Sequence, residues 1–124
     1  MTKVLKRSLT MTLMLMVLVM AMAASAFAAT QNYKFYYGGV EHAHSSSYIS
    51  GPADITSGQV TIKLTGNYFP EVKVGGVSYF GSYNSGTNLT TFVFPGSTSS
   101  DIPLDLKVVA GPHNRTYSLV LTWV

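Results

Sequence analysis

Residues 104–124 read LDLKVVAGPHNRTYSLVLTWV, and this stretch decides the fold class. Leu or Val alternates with Asp or Lys over residues 104–108, and large apolar or aromatic side chains recur at every second position from 117 to 123. A period of two residues is that of a β-strand with one buried face. A turn that contains His113 is expected between the two runs. The stretch therefore predicts two strands, at 104–109 and 117–124, that share one apolar face.

The rest of the chain after residue 28 consists of short apolar runs separated by Gly, Pro, Asn and Ser, without helical periodicity. This pattern is typical of an all-β domain, and Gly75-Gly76 predicts a tight hairpin. Residues 41–48 fit no strand and predict a loop with one helical turn. The expected fold is an immunoglobulin-like antiparallel β-sandwich of seven or eight strands with one short helical turn. Besides the last two, the predicted strands cover residues 33–37, 53–56, 59–64, 72–74, 77–83 and 89–94.

The first 28 residues have the pattern of an export signal. Three basic residues precede an apolar run over residues 13–22, and small residues ending in Ala26-Phe27-Ala28 follow. The apolar run is shorter than the roughly 20 residues that a membrane-spanning helix needs. We therefore expect residues 1–28 to be a secretory signal peptide. Residues 29–124 are then one β-sandwich domain, with no membrane insertion after cleavage.

The charge of the expected domain is balanced. Residues 29–124 contain five Lys or Arg and five Asp or Glu side chains, so their formal charge is zero. Binding to nucleic acid needs clustered cations, and no nucleic-acid partner is expected. The chain has no cysteine, which excludes disulfides and thiolate metal sites. Aromatic content stands out instead, because all eight Tyr, the one Trp and five of the six Phe lie in this domain.

Histidine is the first residue type that suggests a binding site, at His42, His44 and His113. If the turn within residues 41–48 is helical, His44 and Tyr48 share one face. The hydroxyls of Ser45 and Ser46 would then lie near free backbone N–H groups, which suit an anion. The segment therefore predicts a binding surface for an anionic group.

His113 and Tyr117 have the same spacing in the last turn. If that turn is helical as well, both side chains address one ligand. Zinc or copper held by the histidines alone is disfavoured, because a stable site needs three or four converging ligands. The chain has neither a Gly-x-Ser-x-Gly motif nor paired carboxylates, so no enzymatic function is expected.

Several short segments occur in the order found in a known family. They are Tyr33-Lys34-Phe35, Ser46-Ser47-Tyr48 leading to Gly51-Pro52-Ala53, Tyr68-Phe69-Pro70-Glu71-Val72-Lys73-Val74, and Val108-Val109 before His113-Asn114-Arg115-Thr116-Tyr117. In this order the chain resembles a NEAT domain over nearly all of residues 29–124. The resemblance implies a β-sandwich of Gram-positive bacteria, secreted or attached to the cell wall. Such domains take haem from host haemoproteins and pass it along, so haem, host haemoproteins and other NEAT proteins are the partners implied.

The resemblance also implies a site, in which haem lies between the short helix and the last hairpin. A hydroxyl of Ser45 or Ser46 and that of Tyr48 would bind a propionate. His44 occupies the position of a histidine that some members place over the distal face of haem. Tyr68 matches an aromatic residue that packs on the porphyrin.

The last hairpin departs from the family at the metal. The family carries Tyr-x-x-x-Tyr, whose first phenolate binds ferric iron, whereas this chain has His113-x-x-x-Tyr117. We expect His113 to bind the iron, with Tyr117 as the alternative ligand, and Tyr117 and Val109 to contact the porphyrin. A neutral imidazole nitrogen does not favour ferric iron as an anionic phenolate does. Asp105 and Lys107 are a second departure, because the family presents apolar side chains to the porphyrin from this hairpin.

The function expected from these observations is a secreted haem-binding protein, similar to a haemophore, for haem-iron acquisition. Its location is extracellular, with cell-wall association left open. The alternative is an adhesive or carbohydrate-binding β-sandwich module without haem. In that case an exposed strip would stack on sugars or on a protein surface, formed by Tyr36, Tyr37, Tyr79 and Tyr83.

Overall fold

The structure of the protein is a computed structural model that describes residues 28–124. These residues form eleven β-strands and one short helix. In chain order the elements are β1 (Ala29–Gln31), β2 (Tyr33–Tyr37), β3 (Val40–Glu41), α1 (Ala43–Ser46), β4 (Ala53–Thr56), β5 (Gln59–Thr65), β6 (Glu71–Val74), β7 (Val77–Phe80), β8 (Ser82–Asn84), β9 (Leu89–Pro95), β10 (Ile102–Ala110) and β11 (His113–Trp123). The predicted signal peptide, apart from Ala28, lies outside the described residues.

The strands form two antiparallel sheets. One sheet has five strands in the order β1-β4-β5-β9-β8, and the other has six in the order β3-β2-β11-β10-β6-β7. The predicted all-β, immunoglobulin-like sandwich with one helical turn is confirmed. The described residues contain more strands than the seven or eight expected, because β1 and β3 are too short to give a periodic pattern. In addition, the strand predicted at 77–83 is divided into β7 and β8.

The hydrophobic core lies between the inner faces of the two sheets. In β5 every second residue is buried, and in β11 Leu119 and Leu121 are buried as the alternation predicted. Burial of this kind stabilises a domain by roughly 25 cal/mol per Å² of apolar surface. The core residues are Tyr33, Phe35, Ala53, Val60, Ile62, Leu64, Phe69, Val72, Phe92, Phe94, Ile102, Leu104, Leu106, Leu119 and Leu121.

Glycine determines two of the connections. The predicted tight hairpin is confirmed between β6 and β7, where Gly75 and Gly76 have φ values of 59° and 78°. At Gly81 the chain passes from the edge of the six-stranded sheet to the edge of the five-stranded sheet. A Cβ atom on Gly81 would lie 2.6 Å from the Phe69 carbonyl oxygen. The crossing therefore depends on the missing side chain.

The β10–β11 hairpin is longer than predicted. Its pairing runs from Ile102 opposite Leu121 to Ala110 opposite His113, so β11 begins four residues before the predicted start. Residues 113–116 are exposed and polar, and they carry no apolar alternation from which a strand could be predicted. The hairpin therefore extends beyond the core as a ribbon with one face toward α1.

Helix α1 is attached to the end of β2. Strand β3 ends at Glu41, and the N–H of His42 donates to the Phe35 carbonyl at 2.8 Å. The Ser46 hydroxyl accepts a hydrogen bond from the Phe35 N–H at 3.0 Å and donates to the Phe35 carbonyl at 3.4 Å. One side-chain oxygen thus occupies the place of the strand neighbour that β2 lacks at this point.

The segment after α1 is bound to the other sheet. The Thr65 N–H donates to the Tyr48 carbonyl at 2.8 Å, and the Ser50 N–H donates to the Lys63 carbonyl at 2.9 Å. Helix α1 therefore bridges β2 of one sheet and β5 of the other at one end of the sandwich. Among residues 28–124 there is no helix with the length and apolar character needed to cross a membrane.

Candidate functional site

An open groove of about 230 Å³ lies between the α1 segment and strand β11. Two histidines, one arginine and two tyrosines line it, and none of the lining residues is acidic. The lining residues are Tyr37, His42, His44, Arg115 and Tyr117. The groove therefore joins the helical turn and the last hairpin, the two segments from which the sequence predicted a site.

His42 precedes α1 and caps its first turn. Its Nδ1 atom lies 2.6 Å from the Ser45 hydroxyl oxygen and accepts a hydrogen bond from the Ser45 N–H at 3.3 Å. Its ring lies against Tyr117 and Tyr37, with centroid distances of 5.6 Å and 6.1 Å. The sequence analysis named His42 among the three histidines but predicted no capping role for it. The polar residue three positions before Ser45, at the start of a turn, was the available capping signal.

His44 and Tyr48 lie on the same face of the helical turn, as their spacing predicted, and Tyr68 lies next to Tyr48. The rings of His44 and Tyr48 are edge to face at 5.6 Å, which the spacing of four residues predicts for a helical turn. Tyr48 also contacts Tyr68 at 6.3 Å and Phe69 at 5.3 Å. Tyr68 covers Gly66, where a Cβ atom would collide with its ring. These rings form an aromatic wall next to the groove, from the exposed His44 and Tyr68 to the buried Phe69.

The two serines predicted to bind an anion have their hydroxyls engaged within the protein. Ser45 is buried, and its hydroxyl is paired with His42. The Ser46 hydroxyl is bound to the backbone of Phe35. Both side chains therefore hold the α1 segment in place, and neither hydroxyl lines the groove.

On the hairpin side, strand alternation places His113, Arg115 and Tyr117 on the same face of β11. No helical turn forms at 113–117, so the conditional arrangement of His113 and Tyr117 as neighbours on a helix is not present. Their Cα atoms are separated by about 13 Å at the usual strand rise. Tyr117 lines the groove, whereas His113 is exposed at the first position of β11 and does not line it.

The register of the hairpin separates its two faces. Val108 lies opposite Arg115 and Leu106 lies opposite Tyr117, whereas Val109 lies opposite Asn114 on the other face. The structure thus places Val109 away from the groove and Val108 on the groove side.

Asp105 and Lys107 belong to the face that points away from the groove. They lie opposite Ser118 and Thr116, and the Ser118 hydroxyl donates to the Asp105 carboxylate at 2.8 Å. The expectation that these charges replace apolar residues toward a ligand is therefore corrected, because Leu106 and Val108 are the residues of β10 on the same face as Tyr117 and Arg115.

Arg115 is a site residue that the sequence analysis missed. Its guanidinium carbon lies 4.9 Å from the centroid of the Tyr117 ring, within the range of a cation–π contact. Its position midway between His113 and Tyr117 was a usable signal, because alternate residues of a strand share a face. Among residues 28–124 no three His, Asp or Glu side chains are close enough to hold a metal ion by themselves.

The tyrosines of the alternative hypothesis do not form one strip. Tyr36 lies opposite Val120 on the outer face of its sheet, and Tyr79 packs against Phe94 of the core. Tyr83 donates to the Asn88 side chain at 2.7 Å on the other sheet. Tyr37, which is 57% exposed, lines the groove. The flat aromatic surface that the alternative requires is therefore not found.

Comparison with solved structures identifies the fold. The chain superposes on the NEAT5 domain of IsdX2, a B. anthracis haemophore in complex with haem, with a TM-score of 0.62 and 11% sequence identity; the match covers 80% of this chain and 96% of that chain. This protein has the NEAT fold. A point mutant of the same domain, also in complex with haem, matches with a TM-score of 0.62 and 12% identity over 80% of this chain and 95% of that chain. No family model and no curated protein sequence matches the chain.

Proposed function

We propose that this protein is a secreted haem-binding domain that holds haem between residues 44–48 and the last hairpin. The observation that carries the proposal is the groove between α1 and β11, in a chain whose structural neighbours with the NEAT fold are haem complexes. Sequence identity of 11% supports the fold only, so the chemistry of the groove residues has to support the ligand.

The residues of the groove and of the aromatic wall next to it fit haem in three respects. The aromatic wall of Tyr48 and Tyr68 offers apolar ring faces to a porphyrin. Imidazole and phenol groups supply the nitrogen and oxygen atoms that bind haem iron. The absence of acidic side chains from the lining favours a ligand with negative groups. Haem, when bound, supplies the iron and the macrocycle, and this chain's residues hold and orient it.

His113 is the proposed iron ligand, with Tyr117 as the alternative. Both lie on the groove face of β11, and the hairpin tip that carries His113 extends beyond the core. His44 is proposed to lie over the opposite face of the ring from α1. Ser45 and Ser46 are proposed to contribute indirectly, because their hydroxyls fix His42 and the helix.

The proposed role of the domain is to carry haem outside the cell, without catalysing a reaction. Residues 1–28 would direct export and be removed, and the domain would act in solution or in association with the cell wall. Host haemoproteins are the proposed haem donors, and other NEAT proteins the proposed recipients.

The test is a haemin titration of residues 29–124, followed by visible absorption in the oxidised and reduced states. We expect a saturable Soret band with one haem per chain. His113→Ala should shift the band and weaken binding about tenfold or more, as the loss of a strong polar interaction does. Asn114→Ala is the matched control, because Asn114 adjoins His113 on the other face of the strand.

The outcomes separate the two ligands and the alternative function. A band that changes only with Tyr117→Phe assigns the iron to the phenolate. The lack of a saturable band in both oxidation states overturns the haem proposal.

A further inference from the structure

Arg115 is the permanent cation of the groove. Its guanidinium stacks on Tyr117 at 4.9 Å and lines the groove beside Tyr37, His42 and His44. Stacking on an aromatic ring orients the planar guanidinium and reduces the freedom that it would lose on binding a ligand. The arginine is therefore already positioned at the groove before a ligand arrives.

The charge of Arg115 has no counter-charge in the described part of the chain. The ion pair found within residues 28–124 joins Lys34 and Glu41 at 3.8 Å, and Arg115 takes part in none. Asp105, the acid on the same hairpin, lies on the opposite face and accepts from Ser118. An unpaired guanidinium presents five N–H donors and no acceptor. The groove thus has both the charge and the donors to bind an anionic group.

His42 supplies a second donor beside Arg115. Because its Nδ1 atom accepts the Ser45 N–H, the proton of the neutral ring is assigned to Nε2. The serine hydroxyls at 45 and 46 are engaged elsewhere, as described above. The guanidinium of Arg115 is therefore the charged donor for a carboxylate in this groove, and the imidazole of His42 is a neutral donor beside it.

We propose that Arg115 binds a carboxylate of the tetrapyrrole, so that the groove selects porphyrins with free carboxylates over their esters. The inference rests on the proposed haem-binding function and adds its specificity. Arginine pairs with a carboxylate through two parallel N–H···O bonds, which an ester cannot match with full charge. Arg115 acts here as a specificity residue that is distinct from either candidate iron ligand.

The experiment compares haemin with haemin dimethyl ester, each titrated into the wild-type domain, Arg115→Met and Lys107→Met. Lys107 is the matched control, because it is a cation of the same hairpin that lies on the opposite face. We expect the wild type to bind haemin about tenfold more tightly than the ester. In Arg115→Met the ratio of the ester Kd to the haemin Kd should fall to about one, because haemin binds more weakly while binding of the ester is unchanged. Lys107→Met should keep the wild-type ratio.

A second arm removes iron from the comparison. Metal-free protoporphyrin and its dimethyl ester, followed by porphyrin fluorescence, should show the same loss of discrimination in Arg115→Met. This readout does not depend on which residue binds iron. Arg115→Lys should retain part of the ratio, because it keeps the charge and loses the bidentate geometry.

The results that would overturn the inference differ from those that would overturn haem binding. If the wild type binds haemin but Arg115→Met keeps the full ratio, Arg115 does not bind the carboxylate. If Arg115→Met weakens haemin and the ester equally, Arg115 has only a structural role in the groove. If the wild type binds neither haemin nor the ester, the proposed function fails and the inference fails with it.

Discussion

At the scale of single residues, Tyr33 has an environment that costs stability. It is 4% exposed, and its ring lies edge-on to Phe35 and Trp123 at 5.7 Å and 6.3 Å. Within the described residues its hydroxyl has no hydrogen-bond partner. Burial raises the pKa of this phenol well above its ordinary value. The ring stabilises the core, whereas the hydroxyl is desolvated without compensation.

We therefore predict that Tyr33→Phe raises the free energy of unfolding by about 1 kcal/mol at pH 7. Above about pH 10 the unfolded phenol ionises while the folded phenol keeps its proton. Wild-type stability then falls with rising pH by up to about 1.4 kcal/mol per pH unit from this group, a loss that Tyr33→Phe removes. Urea unfolding between pH 7 and pH 11 measures both effects. Tyr83→Phe, at an exposed and hydrogen-bonded tyrosine, is the control. The prediction would be contradicted if the difference in free energy of unfolding between Tyr33→Phe and the wild type stayed constant from pH 7 to pH 11.

The residues of the site were predictable to different extents. His44 and Tyr48 followed from helical spacing, because four residues make about one turn. The capping role of His42 was missed although its signal is local, whereas the place of Arg115 depends on long-range strand pairing. Arg115 reaches the groove only because β11 continues to His113, and that continuation has no apolar signature. Val109 was assigned to the site by the resemblance alone. Because side chains alternate along a strand, Val109 lies with Asn114 on the face of the hairpin that points away from the groove.

At the scale of elements, α1 depends on the sheets for its existence. A helix of four residues is far too short to be stable in isolation. It is held by Phe35 at its start and, through Tyr48, by β5 after its end. The stability of the α1 side of the site therefore depends on these few hydrogen bonds to β2 and β5.

We predict that Ser46→Ala lowers the free energy of unfolding by about 1–3 kcal/mol, because the Phe35 N–H loses its acceptor. Hydrogen exchange of the Phe35 amide should accelerate more than that of core amides in β5. Ser47→Ala is the matched control, since its hydroxyl bonds only to the His44 carbonyl on the surface. Equal effects of both substitutions would show that the Phe35 contact does not hold the helix.

The elements also show where sequence patterns carry information. Strands β5, β10 and the second half of β11 were predicted because burial imposes a period of two. Strands β1 and β3 have two or three residues and lie at sheet edges, so no periodicity could reveal them. The division at Gly81 depends on the close approach of the Phe69 carbonyl, which is a tertiary contact.

At the scale of the whole molecule, the first strand begins directly after the predicted cleavage site. Ala29 pairs with Ile55 of β4, and the Gln31 side chain donates to the Val124 carbonyl near the other end of the domain. The Val124 N–H donates to the Asn32 carbonyl at 3.0 Å. The first and last described strands are therefore connected, and cleavage after Ala28 leaves this connection intact.

We predict that the exported protein begins at Ala29. Expression of the full chain in a Gram-positive host, followed by intact-mass measurement of the culture medium, measures the new terminus. The released chain should contain no methionine, because all six lie in residues 1–28. A domain that lacks residues 29–31 should be less stable than one that starts at Ala29, because β4 then loses one of its two neighbours and becomes an edge strand. An unprocessed chain in the medium would contradict the proposal.

The hydroxyl of Ser46 at the end of β2 has one more consequence. The N–H of Phe35 can be satisfied either by this hydroxyl or by a third strand that continues past Glu41, but not by both. A longer β2–β3 hairpin and the binding groove are thus competing outcomes of the same short segment. Strand-favouring substitutions within residues 42–46 would extend β3 opposite Phe35 at the expense of α1 and of the groove that it lines.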